Sequence, residues 1–343
     1  MKQNINWGII GLGNIALKFA EAFKDVDNAK LIGIASKNVE KLENFKQQFK
    51  IENQFCFNEY ENLLNCRHVD AIYIALPNTL HHKWIIECIE KKKKILVEKP
   101  AVLNYSEIED IQKKLLVNNI FFAEGFMYRH HPQLIKLIEI INEKGIGNLL
   151  SMETSFGLNL LTKKNFFGYE KKKKINSASR LYNKELGGGA ILDLGCYPTS
   201  MSILIASLIK NIDYKKVKVL KKIKEIGSTE VDVDSFAELQ FDGKFSSFIS
   251  ASFTKNLGKI TKIIGDEGEL TIENSWDADQ GIINVKTKKE YTIRVNLKKN
   301  VYSHEIENIS ESILKDKTEA KYPAMTLSDT LLNTKILDEW LND

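Results

Sequence analysis

The stretch GIIGLGNIA, residues 8–16, joins an apolar, β-rich run to a helical pattern through two glycines. The run INWGII ends at Gly11, and apolar residues recur at helical spacing from Ile15 to Phe23. The same alternation continues outward. AKLIGIAS reads as a strand and VEKLENFKQQF as a helix. VDAIYIALP is a long run of β-formers stopped by Pro77, and the amphipathic HHKWIIECIEKK follows it. KILVEKP, the helical SEIEDIQKKLLVNN with Ser106 as a candidate cap, and the strand IFFAEGF complete the series. Strand–helix–strand repetition with continuously apolar strands predicts an α/β fold, a parallel sheet covered on both faces.

Past about residue 125 the pattern changes. HPQLIKLIEIINEKG reads as a helix, and longer strands follow: LLSMETSFGLNL, DSFAELQFDG, KFSSFISASFT, KITKIIGDEGELTIE and EYTIRVNL. Several alternate with period two and are joined by turns such as Asp242–Gly243 and Glu267–Gly268, so an open, mostly antiparallel sheet in an α+β domain is expected. The expected division is a Rossmann-type domain over 1–124, an α+β domain over 125–325 and a C-terminal helix over 326–343 that packs back on the first domain.

The 343 residues suffice for two such cores, and 43% hydrophobic with 27% charged residues is the composition of a soluble globular protein. The net charge is only +4, so neither a nucleic acid nor a membrane is implied as partner. The runs Lys91–Lys94 and Lys171–Lys174 read as solvated helix ends or loops. Cys56, Cys66, Cys88 and Cys196 show no metal-like spacing and read as free thiols of a reducing compartment. The longest apolar stretch, near Met201–Ile209, is too short to cross a bilayer, and a cytoplasmic protein is expected.

Residues 11–16 spell GxGxxA between a strand and a helix. Gly11 permits a tight turn, Gly13 lets main chain approach a pyrophosphate, and Ala16 lets helix and strand pack closely. The first N–H groups of the helix, from Asn14 and Ile15 onward, then face the anion, which points to a dinucleotide cofactor. The second strand runs into Ser36-Lys37-Asn38 with no acid before Glu40. A hydroxyl and an ammonium suit a 2′-phosphate, so NADP is expected over NAD.

Three further clusters draw notice: ALPNTLHH at 75–82, EKP at 98–100 and GGGAILDLGCYP at 187–198. Together with GIIGLGNIA and EGFMYRHHP they resemble the glucose–fructose oxidoreductase and inositol dehydrogenase family, often called Gfo/Idh/MocA, over nearly the whole chain. The resemblance implies hydride transfer between nicotinamide and sugars, cyclitols or related carbonyl compounds. It implies that Lys99 sits beside the nicotinamide and the reacting oxygen, that Lys99–Pro100 is a cis peptide, and that Glu98 positions the lysine. Leu76, Pro77, Asn78 and His81 would lie along the cofactor, with a solvent-facing His82 beside them. Arg129 would line the cleft or form a structural ion pair. His130 and His131 make no visible metal site.

The family's glycine-rich motif commonly ends in histidine, and Tyr197 stands there instead, as in the subset that includes glucose–fructose oxidoreductase and dimeric dihydrodiol dehydrogenases. A phenol of pKa about 10 becomes a workable proton donor when a lysine cation stabilises its anion. Tyr197 as acid with Lys99 as electrostatic partner therefore fits carbonyl reduction. Asp193 either bonds a substrate hydroxyl or caps the following helix. The reading is an NAD(P)-dependent oxidoreductase acting on an aldose, dihydrodiol or keto sugar. The alternatives are an NAD-linked cyclitol dehydrogenase and a catalytically silent NAD(P)-binding regulator. An apolar face left on the second sheet predicts a homodimer or homotetramer.

Overall fold

Strong apolar strands followed by amphipathic helices give the first unit its order. The computed structural model describes residues 4–164, 170–173, 176–177 and 179–342. The chain divides into two compact units, Met1–His131 with Lys298–Leu331, and Pro132–Leu297 with Leu332–Asp343. In the first, β1 (Ile5–Ile10), α1 (Asn14–Ala22), β2 (Ala29–Ala35), α2 (Val39–Phe49), β3 (Cys56–Phe57) and α3 (Tyr60–Leu64) come before the switch in strand order. Then follow β4 (Ala71–Ile74), α4 (His81–Glu90), β5 (Lys94–Glu98), α5 (Tyr105–Asn118) and β6 (Phe122–Gly125). The six strands pair in parallel in the order β3-β2-β1-β4-β5-β6. Strand order reverses at β1/β4, the place where ligands bind beyond the strand ends in such sheets.

Local chemistry fixes the element ends. The N-cap of α2 is Asn38, whose side chain accepts from Lys41 N at 2.9 Å. At α5 the cap is Asn104 and not Ser106: Asn104 Oδ1 accepts from Glu107 N, while Ser106 Oγ donates to that same oxygen. Asn104 precedes the first helical residue, where an extended backbone brings its short amide back over the free N–H groups. The first lysine run is also not wholly solvated. Lys93 is buried, and its ammonium donates to Cys66 O and Val69 O at 2.7 and 2.6 Å, closing the loop ahead of β4.

The second unit contains α6 (Pro132–Asn142), β7 (Leu149–Gly157), the short pair β8 (Thr162–Lys164) and β9 (Glu170–Lys172), and α7 (Cys196–Ser207). Strands β10 (Val217–Ile226), β11 (Asp232–Phe241), β12 (Phe245–Ser252), β13 (Thr261–Gly265), β14 (Glu269–Ile272), β15 (Gln280–Lys286) and β16 (Glu290–Asn296) follow. The large sheet runs β10-β11-β12-β7-β13-β14-β15-β16, antiparallel except where β12 meets β7. Its strands alternate, as in β12, where Phe245, Ser247, Ile249 and Ala251 are buried and Ser246, Phe248 and Ser250 are half-buried. The helical stretch Lys184–Ser207 spans 24 residues and is apolar enough to cross a membrane by length and composition, yet 94% of its most apolar window is buried. It is a core helix, longer than the run of apolar letters suggests because small and polar residues extend it.

Two helices close the chain, α8 (Val301–Leu314) and α9 (Leu327–Leu341). The sequence gives little sign of α8, and its residues, expected in the second domain, belong to the first unit. Trp7 Nε1 donates to Ser310 Oγ at 3.0 Å, Ser303 Oγ donates to Ala22 O at 3.0 Å, and Ile306 and Ile309 are fully buried. The second face of the parallel sheet thus takes its cover from a helix distant in sequence. Leu327 and Leu331 of α9 pack on the first unit's core, whereas its later turns count with the second. There Trp340 is fully buried, and a Cβ at Gly195 would stand 2.8 Å from its ring.

Candidate active site

The glycine turn is built by close approach. Gly11 has φ +87°, and a Cβ there would lie 2.5 Å from Ala75 O at the end of β4. Any side chain would push the β1 and β4 ends apart. At Gly13, the N-cap of α1, an added Cβ would meet nothing within 4 Å. Open space lies above the helix start, where free N–H groups and the helix dipole favour an anion. Ala16 is fully buried against the sheet, while Asn14 is exposed and Ile15 half-buried. Beyond β2, Ser36 Oγ accepts from Asn38 N at 3.1 Å, and Lys37 is exposed, its ammonium 5.9 Å from the centre of the Tyr60 ring. These residues fit a dinucleotide: open space over Gly13 and a cation beyond β2.

At the end of β4, Leu76 and Pro77 are half-buried and Asn78 is buried. His81 has no exposed surface, and both of its ring nitrogens lie 2.9 Å from main-chain carbonyls, Nδ1 from Pro100 O and Nε2 from Leu76 O. It ties the β4 loop to the turn that carries Lys99. His82 is not simply solvent-facing, because it pairs with Asp110 at 3.0 Å. The turn itself is held at successive residues. Lys99 N donates to Glu98 Oε2 at 3.2 Å, the Lys99–Pro100 peptide is cis, and Ala101 N donates to Glu124 Oε1 at 2.9 Å.

Behind this turn lies a set of buried ionisable groups. Tyr73 OH donates to Glu98 Oε1. Burial, and then the Glu98 charge, push the Tyr73 phenol well above its ordinary range, and the same two causes raise the Glu305 carboxyl. His130, 3.9 Å from Glu305, is driven down to about 3 by burial and by the neighbouring His304 and Arg129. It is a neutral interior residue. Arg129 lines no surface: it is fully buried, donates to Pro323 O at 3.1 Å and Tyr128 OH at 3.2 Å, and lies 4.0 Å from Asp329. An apolar-rich loop around it shuts it in, which the letters YRHHP do not reveal.

In the second unit the glycine-rich motif starts a helix under tight constraint. Gly189 has φ +118°, and a Cβ there would collide with Asp232 Oδ1 at 2.2 Å. Asp232 Oδ2 accepts from Ile191 N at 2.7 Å, so this acid caps the segment. The turns Ile191–Gly195 are π-helical, a wider winding common at functional sites. Asp193 stands inside this helical stretch, so it is not a cap. It accepts from Arg180 Nη2 at 2.6 Å. Tyr197, on the first turn of α7, is buried except for 6% of its surface. Its ring contacts Phe156 and Trp276 with centroids 5.2 and 5.6 Å away. Trp276 is fixed by donating to Ser155 O at 3.1 Å. Between residues 162 and 180, residues 165–169, 174, 175 and 178 lie outside the described residues, Lys174 of the second lysine run among them.

Residues 5–125 match the model of the oxidoreductase family with NAD-binding Rossmann fold, and residues 134–271 match the GFO/IDH/MocA C-terminal domain. The chain belongs to the Gfo/Idh/MocA family of oxidoreductases. Among relatives, it is similar to trans-1,2-dihydrobenzene-1,2-diol dehydrogenase of Xenopus tropicalis, 26% identical over 98% of this chain and 96% of that one. In fold it is similar to a 3-ketoreductase from Actinomadura kijaniata in complex with NADP and TDP-benzene, at TM-score 0.81 and 21% identity, covering 98% of this chain and 96% of that chain. It is likewise similar to an aldose-aldose oxidoreductase from Caulobacter crescentus, at TM-score 0.83 and 18% identity, covering 98% and 96%.

As a Gfo/Idh/MocA protein the chain keeps the Gly11 turn, the Lys99–Pro100 turn and the glycine-rich motif in order. Sequence reasoning missed Glu124, Asp232, Arg180 and Trp276. The signal for Glu124 was present, since it ends an apolar strand on a carboxylate as Glu98 does. Asp232 and Trp276 lie far along the chain from what they hold, and no local pattern marks them.

Burial raises the Glu124 carboxyl from 4.5 to about 7, offset in part by its bond from Ala101 N and by the charges of Arg129 and Lys99. The unfolded chain releases this proton near 4.5, whereas the folded chain holds it to about 7. Ionisation therefore costs stability that grows between those values and stays constant above. Glu124→Gln should match the wild type below pH 4.5 and exceed it above pH 7 by up to about 3 kcal/mol. Urea denaturation at pH 4 and pH 8 checks this, and equal differences at both would contradict it.

Proposed function

We propose that the protein is an NADP-dependent oxidoreductase that interconverts a carbonyl and a hydroxyl on a sugar-like or cyclic diol substrate. The observation that carries this reading is the open space over Gly13 at the start of α1, in the same unit as the thrice-held turn that bears Lys99. The family's oxidoreductase chemistry and the names of its relatives, a dihydrodiol dehydrogenase and sugar-acting enzymes, support the substrate class.

When bound, the nicotinamide supplies or accepts the hydride. The chain supplies the rest. The main chain at Gly13 and the first N–H groups of α1 hold the pyrophosphate. Ser36 and Lys37 favour a 2′-phosphate by hydroxyl and charge. Tyr197 gives its phenolic proton to the carbonyl oxygen in reduction and takes it back in oxidation, and the Lys99 ammonium steadies the phenolate. Asp193, oriented by Arg180, accepts from a substrate hydroxyl. Phe156 and Trp276 keep the Tyr197 ring in one attitude.

A homo-oligomer built on the outward face of the large sheet is part of the reading. Phe236 and Phe248 stack there at 6.5 Å, and Ile223 and Ile260 are exposed. Apolar side chains left on an outward sheet face are characteristic of self-association.

Three measurements follow. Tyr197→Phe and Lys99→Ala should each lower turnover of a keto-sugar or dihydrodiol substrate about 100-fold while NADPH binding persists; near-normal turnover removes that residue from the mechanism. Fluorescence titration should give NADPH a Kd at least about tenfold below that of NADH, and Lys37→Glu should abolish the difference; equal or tighter NADH binding defeats the preference. Light scattering at micromolar concentration should show a dimer or tetramer that Phe248→Asp dissociates; a wild-type monomer contradicts the assembly.

A further inference from the structure

Glu124 stands on β6 beside β5, with Val97 opposite it and the Glu98–Gly125 pair next along. It is 2% exposed. One carboxylate oxygen accepts from Ala101 N, and the other is fully enclosed. A buried carboxylate in that state needs a cation nearby or a proton of its own. The groups facing it are known from each packed element. From the β5 turn comes Lys99, from the loop after β6 comes Arg129, and from α9 comes Thr330. Arg129 is already committed to Pro323 O, Tyr128 and Asp329. Lys99, half-buried on the same turn that Glu124 grips, is the cation whose charge can vary.

We propose that Glu124 is a positioning residue for Lys99: it anchors the turn through Ala101 N–H and gives the ammonium a counter-charge that a proton can switch off. His81 holds Pro100 O from the other side, so the turn is fixed at two neighbouring peptides while only the Glu124 contact changes charge. Burial places the Glu124 ionisation near neutrality, at about 7. In the ionised form Lys99 is held protonated. In the acid form the lysine loses that support and gives up its proton at lower pH. The proposal deepens the reading above, because it matters to catalysis only if Lys99 acts at the reacting oxygen.

The test needs no substrate. The intact protein is labelled with acetic anhydride across pH 6 to 11, and Lys99 acetylation is followed by peptide mass spectrometry. Glu124→Gln, which keeps the acceptor for Ala101 N, should lower the midpoint of Lys99 reactivity by about one pH unit, since an opposite charge at short range shifts an ionisation by that order. Glu124→Asp, which keeps the charge, should stay close to the wild type. Coincident wild-type and Glu124→Gln midpoints overturn the proposal, and so does a downward shift in Glu124→Asp equal to that in Glu124→Gln. A purely structural role would alter thermal stability and leave the midpoints together. Normal turnover in Lys99→Ala with the midpoint shift intact would refute the catalytic role of Lys99 and leave the coupling standing.

Discussion

A parallel sheet ends with its main chain unpaired, and the first unit depends on how the ends of β4, β5 and β6 are satisfied. The groups beyond those ends cannot continue the ladder, and burial forbids leaving them without partners. Side chains do the work instead. Glu98 takes Lys99 N, Glu124 takes Ala101 N, and His81 bridges Pro100 O and Leu76 O. The result is a turn whose only long, partly accessible cation is Lys99. The charges that looked out of place after an apolar strand are the supports of a strand end.

The same logic governs the glycine-rich motif of the second unit. Gly189 admits Asp232, Asp232 caps the segment, and the π-helical turns that follow set Asp193 and Tyr197 on one helical stretch. Aromatic packing by Phe156 and Trp276 leaves the Tyr197 ring little freedom. Both units therefore place a candidate proton-handling group on a short element whose conformation is set by residues distant in sequence. Such preorganisation lets a weak acid or base act without reorganising its surroundings.

Much of this was legible in the letters. Period and turn chemistry marked the parallel strands, and the Gly11 turn declared itself because only glycine tolerates a carbonyl 2.5 Å from where a Cβ would be. Contributions from afar were not legible. Helix α8 covers the parallel sheet through Ser310 and Ile306, which carry no mark of their destination. Arg129 read equally as cleft lining or as a structural ion pair, and its burial 4.0 Å from Asp329 fits the second. Asp193 read equally as cap or ligand, and its place inside the π-helical turns, with Asp232 capping the segment, decides that it is not the cap. A motif names residue types at a spacing, but burial and partners come from elements the motif does not contain.

The account rests on one event: a nicotinamide dinucleotide lying over Gly13 with its reactive ring at the Lys99 turn. A crystal structure with NADP⁺ and a bound polyol tests it most directly. The account predicts pyrophosphate density over the start of α1 and a ligand oxygen within about 3 Å of Lys99 Nζ. Pyrophosphate bound elsewhere, or a polyol with no oxygen near Lys99 Nζ, would contradict it.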